Sequence, residues 1–337
     1  FKQKTAYEIG VRLVGSEMCI RDRGGAVSPF VVPPRSVTVR APAKVNCELR
    51  VGPRRDDGFH DLATVFMAVG LYDEVTVTPS AVWSVRTTGR YAGLVPDTKD
   101  NLALRAAKAL ARRARMAADP VAITIAKEIP VAGGMAGGSA DAAAALIACD
   151  QLWGLRTDRE VLASLAADLG SDVPFALHGG IAVGSGRGDR LAPVLARGTF
   201  HWVFALSETG LSTPEVYAEC DRLRGDAEIP APLPSAAMMA ALRTGNCEVL
   251  AAALANDLQE PALSLRPELR EVLEAGLEFG ALGGVISGSG PTVAFLTRSA
   301  EHALDLCVSL TASGVAPEVK RARGPVHGAT VITSPRD

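Results

Sequence analysis

The chain has no paired cysteines. Its six cysteines (Cys19, Cys47, Cys149, Cys220, Cys247 and Cys307) lie far apart, without a CxxC unit or a histidine at ligand spacing. That pattern argues against a disulfide framework or a zinc site and for reduced thiols, so a cytoplasmic location is expected. Basic charge is not in excess either: 35 Lys and Arg stand against 37 Asp and Glu, for a net charge of −2. A nucleic-acid partner would call for a basic footprint, and none is expected here. The longest uncharged apolar runs, such as "AAAALIAC", are too short to cross a bilayer, so no membrane partner is expected. At 337 residues and 48% hydrophobic, the chain is long enough for about two domains and can bury a sizeable core.

The first residues, "FKQKTAYEIGVRLVGSEMCIRDR", carry no capping signal, no clean period and no apolar signal-peptide core. They resemble translated adapter sequence, and residues 1–35 are expected to be a non-native or disordered leader. From Ser36 the pattern becomes regular. "SVTVRAPAKVNCELRVG" reads as one or two strands broken at Pro42, "DDGFH" carries an Asp-Gly turn signal, and "DEVTVTP" and "WSVRTTG" alternate as strands. "NLALRAAKALARRARMA" has helical spacing behind Asn101, and "AITIAKEIP" reads as a strand. Beyond residue 195 the pattern restarts with the strand "FHWVFAL", followed by alanine-rich helices, "ALGGVISGSGPTVAFL", a helix from Glu301 and a final strand-like "HGATVIT". The expected class is α+β in two parts, residues 36–195 and 196–337.

The most informative stretch is "PVAGGMAGGSADAAAAL". It puts Gly133, Gly134, Gly137 and Gly138 directly before a helix that is expected to start near Ala140, be capped by Ser139 and stop at Gly154. Glycines let backbone N–H groups approach a ligand, and a helix N-terminus adds its dipole, so this layout suits an anion, usually phosphate. It is not a Walker A loop, because Gly138 is followed by Ser139 and Ala140 with no lysine. It lies too late in its domain for a dinucleotide fingerprint, and the VAIK and HRD segments of protein kinases are absent.

The pattern Pro-x-x-Gly-Gly-x-x-Gly-Gly-Ser resembles the nucleotide loop of the GHMP kinases. "APAKVN", "RRDDGFHDLATVF", "NLALRAAKAL", "LGSDVPFALHGGIAVGSGRGD", Asn256–Asp257 and "GGVISGSGPTVAFL" follow in the order of one branch of that superfamily. That branch phosphorylates a diphosphocytidyl-linked methylerythritol in the non-mevalonate route to isoprenoids. The resemblance implies a ribosomal-protein-like first domain, a ferredoxin-like second domain and an active site in the cleft between them. It also implies ATP with Mg2+, and an ATP loop comprising Pro130, Val131, Ala132, Gly133, Gly134, Met135, Ala136, Gly137, Gly138, Ser139 and Ala140.

Residue by residue, the resemblance competes with plainer readings. On its own Lys44 is a solvated strand lysine, whereas the resemblance makes it the lysine that polarises the acceptor hydroxyl and the γ-phosphate. Asp172 would be an N-cap with Pro174 in the first turn, or by resemblance the base near the substrate hydroxyl. Asn46 reads as a polar strand residue, Phe59 as a core aromatic and His60 as a surface histidine. By resemblance the three line a cytidine pocket, with the aromatic ring stacked on cytosine. The family commonly has tyrosine at the position of Phe59 and two serines where this chain has Ser139–Ala140, which leaves the ligand of Mg2+ on this side open between Ser139 and water. Two other readings remain open, a different small-molecule kinase of the superfamily and a non-catalytic nucleotide- or RNA-binding module. "DGFH" speaks against the first, and neutral charge with both Lys44 and Asp172 present speaks against the second.

Deleting residues 1–23 is expected to leave activity unchanged and to move the melting temperature by less than a few degrees. A larger fall, equivalent to about 1 kcal/mol or more, would make the segment part of the fold.

Overall fold

A computed structural model describes residues 36–95, 97–114 and 120–332, and these belong to one compact unit. The leader predicted over residues 1–35 lies outside the described residues. β1 (Val37–Arg54) and β2 (His60–Pro79) form a long antiparallel ribbon. They are joined by the expected turn, where Gly58 has φ 83° and the Arg55 N–H reaches Phe59 O at 2.7 Å. Pro42 does not break β1. It marks a register shift between Pro42 and Ala43, which absorbs the missing N–H within one continuous strand.

Next come β3 (Ser84–Thr88), α1 (Leu102–Arg113) and β4 (Val121–Ala126). Asn101 caps α1 as expected, its side chain accepting from Ala103 N, and β3 runs parallel to β4 with α1 between them in sequence. α2 (Gly137–Trp153), α3 (Arg159–Leu169) and α4 (Val173–His178) precede β5 (Ile181–Gly186) and β6 (Arg190–Pro193). β2 is shared along its length: residues 62–67 pair with β5 and residues 74–79 with β4.

The remainder supplies β7 (Phe200–Leu206), α5 (Thr213–Arg224), α6 (Ala236–Thr244), α7 (Cys247–Ala253), β8 (Ala255–Asn256), α8 (Gln259–Leu265) and α9 (Glu268–Glu278). It ends with β9 (Gly283–Ile286), β10 (Val293–Thr297), α10 (Ala300–Ser313), β11 (Glu318–Gly324) and β12 (Thr330–Ile332). Four of these strands make an antiparallel sheet in the order β11-β7-β10-β9. With helices between β7 and β9 and again between β10 and β11, this is ferredoxin-like topology, as expected. β8 and β12 go instead to the first sheet. β8 lies parallel to β1 at Glu48 and Leu49, and β12 lies antiparallel to it at Thr38–Arg40.

Burial follows from composition. β7 alternates cleanly: Trp202, Phe204 and Leu206 join the core around α1, α2 and the first sheet, while Val203 and Ala205 join the core of the outer helices. The alanines of α2 are buried all round, so it is a central helix rather than a surface one. Small side chains let β1, β2, α1 and α4 approach it closely. The chain can therefore hold a glycine loop at the buried end of this helix, facing the cleft.

Candidate active site

The loop leaves β4 at Lys127 and enters α2 at Gly137. Three of its residues adopt left-handed backbone, Ala132 (φ 52°), Gly134 (φ 73°) and Ala136 (φ 60°). Two of the three are alanines, so the glycines are needed less for positive φ than for space. A Cβ on Gly134 would lie 2.0 Å from Ser287 O, and one on Gly137 would lie 2.9 Å from Lys127 Nζ. The expected serine cap is not found. α2 begins three residues earlier, the N-cap position is Ala136 without a side-chain bond, and Ser139 sits in the first turn and lines the cleft. Because nothing caps the helix, the N–H groups of Gly137, Gly138 and Ser139 have no acceptor among the described residues and converge with the helix dipole.

A buried ion triad holds this loop at both ends. Asp73, fully buried on β2, accepts the Glu128 and Ile129 N–H groups at 2.7 and 2.8 Å and the Lys127 ammonium at 2.5 Å. The same ammonium donates to Asp141 Oδ2 in α2 at 2.6 Å. Burial pulls the Lys127 ammonium down, but Asp141 and Asp73 outweigh it and hold it above its ordinary value. Burial pushes the Asp141 carboxyl up to about 8 despite Lys127, since two carboxylates share one cation. Asp141 Oδ1 has no hydrogen-bond partner.

Lys44 is buried rather than solvated. Its backbone N–H donates to Met135 O at 3.2 Å, and its ammonium donates to Asn46 Oδ1 at 2.5 Å and to Gly134 O at 2.8 Å. Lys44 and Asn46 are two apart on β1 and so face the same way. The Asn46 amide is oriented by Thr64, whose Oγ1 accepts it at 2.8 Å and donates to Glu48 O at 2.9 Å. Asp172 stands at the N-cap position of α4 with Pro174 in the first turn, but its side chain makes no cap bond. Its carboxylate lies 3.9 Å from the Lys44 ammonium instead. Burial lowers the Lys44 pKa, and the charge of Asp172 opposes that shift.

These groups line one cavity of about 1050 Å3 together with Phe59, His60, Ser139 and Tyr217. Pro130, Ala132, Gly133, Gly134, Ala136, Gly137 and Gly138 contribute to the same wall. Val131 faces a neighbouring cavity of about 240 Å3 that also touches Ala132, Gly138, Asn101 and Asp141. Met135 and Ala140, by contrast, are fully buried and belong to the core, where Met135 still offers its carbonyl to Lys44. Phe59 and His60 exchange the places that spacing gave them. Phe59 is 53% exposed at the cavity mouth, with the Arg187 guanidinium 5.5 Å from its ring centroid. His60 is buried, stacks on Tyr217 with centroids 5.2 Å apart, and places Nε2 2.8 Å from Asp221 Oδ1.

A second glycine turn, residues 287–290, closes against the first. The Asn256 amide donates to Ile286 O and Gly288 O, both at 2.7 Å, Ser287 Oγ donates to Gly134 O at 3.0 Å, and the Thr213 and Ser289 hydroxyls lie 2.8 Å apart. Asp257 braces the neighbouring chain, accepting Val51 N–H at 2.9 Å and two arginines, Arg50 and Arg224. Sequence reasoning missed Asp73, Lys127, Asp141, Tyr217 and Asp221. A charged residue in the otherwise apolar run "SADAAAAL" is a usable signal for Asp141, and Lys127 stands in the strand segment "AITIAKEIP".

The GHMP kinases N terminal domain matches residues 101–180, and the GHMP kinases C terminal domain matches residues 238–316. A 4-diphosphocytidyl-2-C-methyl-D-erythritol kinase of Mycolicibacterium smegmatis is 55% identical over 320 residues, covering 94% of this chain and 99% of that protein. One from Thermobifida fusca is 57% identical over 307 residues, covering 89% and 99%. Among solved structures, a 4-(cytidine 5'-diphospho)-2C-methyl-D-erythritol kinase superposes with TM-score 0.70 at 34% identity, covering 85% of this chain and 98% of that one. A homoserine kinase from Cytophaga hutchinsonii, at 20% identity and TM-score 0.68, covers 88% and 98% and shares the fold.

Replacing Asp73 with Ala strands the Lys127 ammonium and two loop N–H groups in the core. Denaturant unfolding should show a loss of about 3–5 kcal/mol; a loss below about 1 kcal/mol would mean that the triad does not hold the loop.

Proposed function

The chain belongs to the 4-diphosphocytidyl-2-C-methyl-D-erythritol kinases of the GHMP kinase superfamily, and from that premise we propose that it transfers the γ-phosphate of ATP to the 2-hydroxyl of 4-diphosphocytidyl-2-C-methyl-D-erythritol. The observation that carries this reading is the meeting, in one cavity, of an uncapped helix N-terminus, a buried lysine–carboxylate pair and an aromatic recess. The free N–H groups of residues 137–139 bind the ATP phosphates. The small cavity beside Val131 and Asn101 takes the nucleotide base. Phe59, His60 and Tyr217 form the recess for the cytosine of the alcohol substrate.

In the transfer, the acceptor hydroxyl lies against Lys44 and Asp172. Its oxygen forms the new bond to Pγ while the bond from Pγ to the bridging oxygen breaks, ADP leaves, and the hydroxyl proton passes to the Asp172 carboxylate. Lys44, tethered by Asn46 Oδ1 and Gly134 O, stabilises charge shifting between phosphoryl oxygens. Such positioning and electrostatic stabilisation is most of what a loose phosphoryl-transfer transition state requires. Asn46 acts as the orienting partner of Lys44. The Ser139 hydroxyl is a hard oxygen donor on the cavity wall and would hold Mg2+ together with water and the phosphates, the ion neutralising phosphate charge. Residues 36–195 and 196–337 are the two proposed domains, the second returning β8 and β12 to the first. No described helix is long and apolar enough to cross a membrane.

Lys44→Ala and Asp172→Asn should each lower kcat by about 100-fold or more while calorimetry still detects ATP binding. Collapse of ATP affinity with kcat preserved at saturation would make the pair nucleotide ligands and refute their catalytic roles. Phe59→Ala should weaken the cytidyl substrate by about 1–3 kcal/mol and leave KM for ATP near wild type. An unchanged cytidyl KM would exclude stacking by Phe59.

A further inference from the structure

His60 is a reader of the cytosine edge only if its ring offers the right atom. A neutral imidazole has one N–H donor and one bare acceptor nitrogen, and the partner of one nitrogen decides the character of the other. Here Nε2 faces Asp221 Oδ1 at 2.8 Å. A carboxylate only accepts, so Nε2 carries the proton and Nδ1 is the bare nitrogen. Nδ1 has no hydrogen-bond partner among the described residues, and His60 is one of the residues that line the cavity.

The aromatic geometry strengthens the point. The imidazole lies against Tyr217 at an interplanar angle of 27°. On the reading of His60 as a base contact, the base turns its hydrogen-bonding edge toward the imidazole. Cytosine presents an exocyclic amine on that edge where uracil presents a carbonyl oxygen. A bare nitrogen accepts from the first and repels the second.

We propose that Asp221 is a positioning residue for base selectivity: by accepting from His60 Nε2–H it holds Nδ1 as an acceptor for the exocyclic amine of cytosine. Asp221 is on α5, reached across the cavity from the Asp57–Gly58 turn, so the pair also fixes where that turn sits relative to the helix. The inference rests on the reading of His60 as a base contact.

The test uses the full chain with ATP and either the cytidyl substrate or its uridyl analogue. Asp221→Ala should raise the cytidyl KM and lower the cytidyl-to-uridyl ratio of kcat/KM by about tenfold or more, with KM for ATP unchanged. Asp221→Asn, whose amide oxygen still accepts from Nε2–H, should recover most of the ratio. In the double variant with His60→Ala, Asp221→Ala should add no further loss, because it acts through the ring. Proton–nitrogen spectra of wild-type protein labelled at histidine, taken near pH 8 where an ordinary imidazole is neutral, should place the His60 proton on Nε2. A proton on Nδ1, an unchanged ratio in Asp221→Ala, or additive losses in the double variant would each overturn the proposal. If His60→Ala itself leaves the ratio intact, the reading of His60 as a base contact fails and the proposal falls with it. If His60→Ala lowers the ratio and Asp221→Ala does not, only the role of Asp221 fails.

Discussion

The Lys127 ammonium, closed off from water between Asp73 and Asp141, is the constraint on which the rest of the site depends. It is costly to desolvate a cation, and two carboxylates around it leave one negative charge over. Burial, with the second carboxylate of Asp73 adding to it, pushes Asp141 up to about 8. In return the triad fastens β2, the first residues of the glycine loop and the first turn of α2 to one point. The loop between them spans little distance and has both ends fixed. It can hold Ala132 and Ala136 in left-handed backbone, which costs on the order of 1–2 kcal/mol per residue when nothing enforces it.

From that anchor the geometry passes to the cleft through main-chain atoms. Gly134 O accepts from both Lys44 and Ser287, so one carbonyl joins β1, the glycine loop and the second glycine turn. Asn256 holds that second turn by two of its carbonyls. Lys44 is therefore placed by the same network that shapes the glycine loop, and Asp172, without a capping bond of its own, is left to face it. Bringing phosphate and acceptor to a few ångströms of fixed groups is the main physical demand of phosphoryl transfer, and the contacts that fix these groups are buried or part-buried.

Much of this was legible in the sequence, and the reasons for the rest are specific. The strands, the helix behind Asn101, the Asp-Gly turn and the stop at Gly154 follow from local rules, and the structure has them. The ferredoxin-like order of the second sheet came from resemblance, not from periodicity. Ser139 looked like a helix cap because Ser-Ala-Asp before alanines is a good capping sequence, but the glycines themselves are helical, and α2 starts at Gly137. Phe59 and His60 exchanged places because burial of neighbours beside a turn is decided by what packs on them. His60 goes inward to meet Tyr217 and Asp221, more than 150 positions later, and Phe59 is left outside. Asp73 carries no local signal at all, since its partners, Lys127, Glu128 and Ile129, arrive from the loop after β4.

The central claim is that this cleft moves a phosphoryl group from ATP to a cytidyl-linked alcohol. Phosphorus NMR of the purified chain with MgATP and 4-diphosphocytidyl-2-C-methyl-D-erythritol tests it most directly. The account predicts ADP and, in equal amount, a new phosphate monoester on the alcohol, with little ADP when the alcohol is omitted. ADP accompanied only by inorganic phosphate, or no turnover of ATP in the presence of the alcohol, would contradict it.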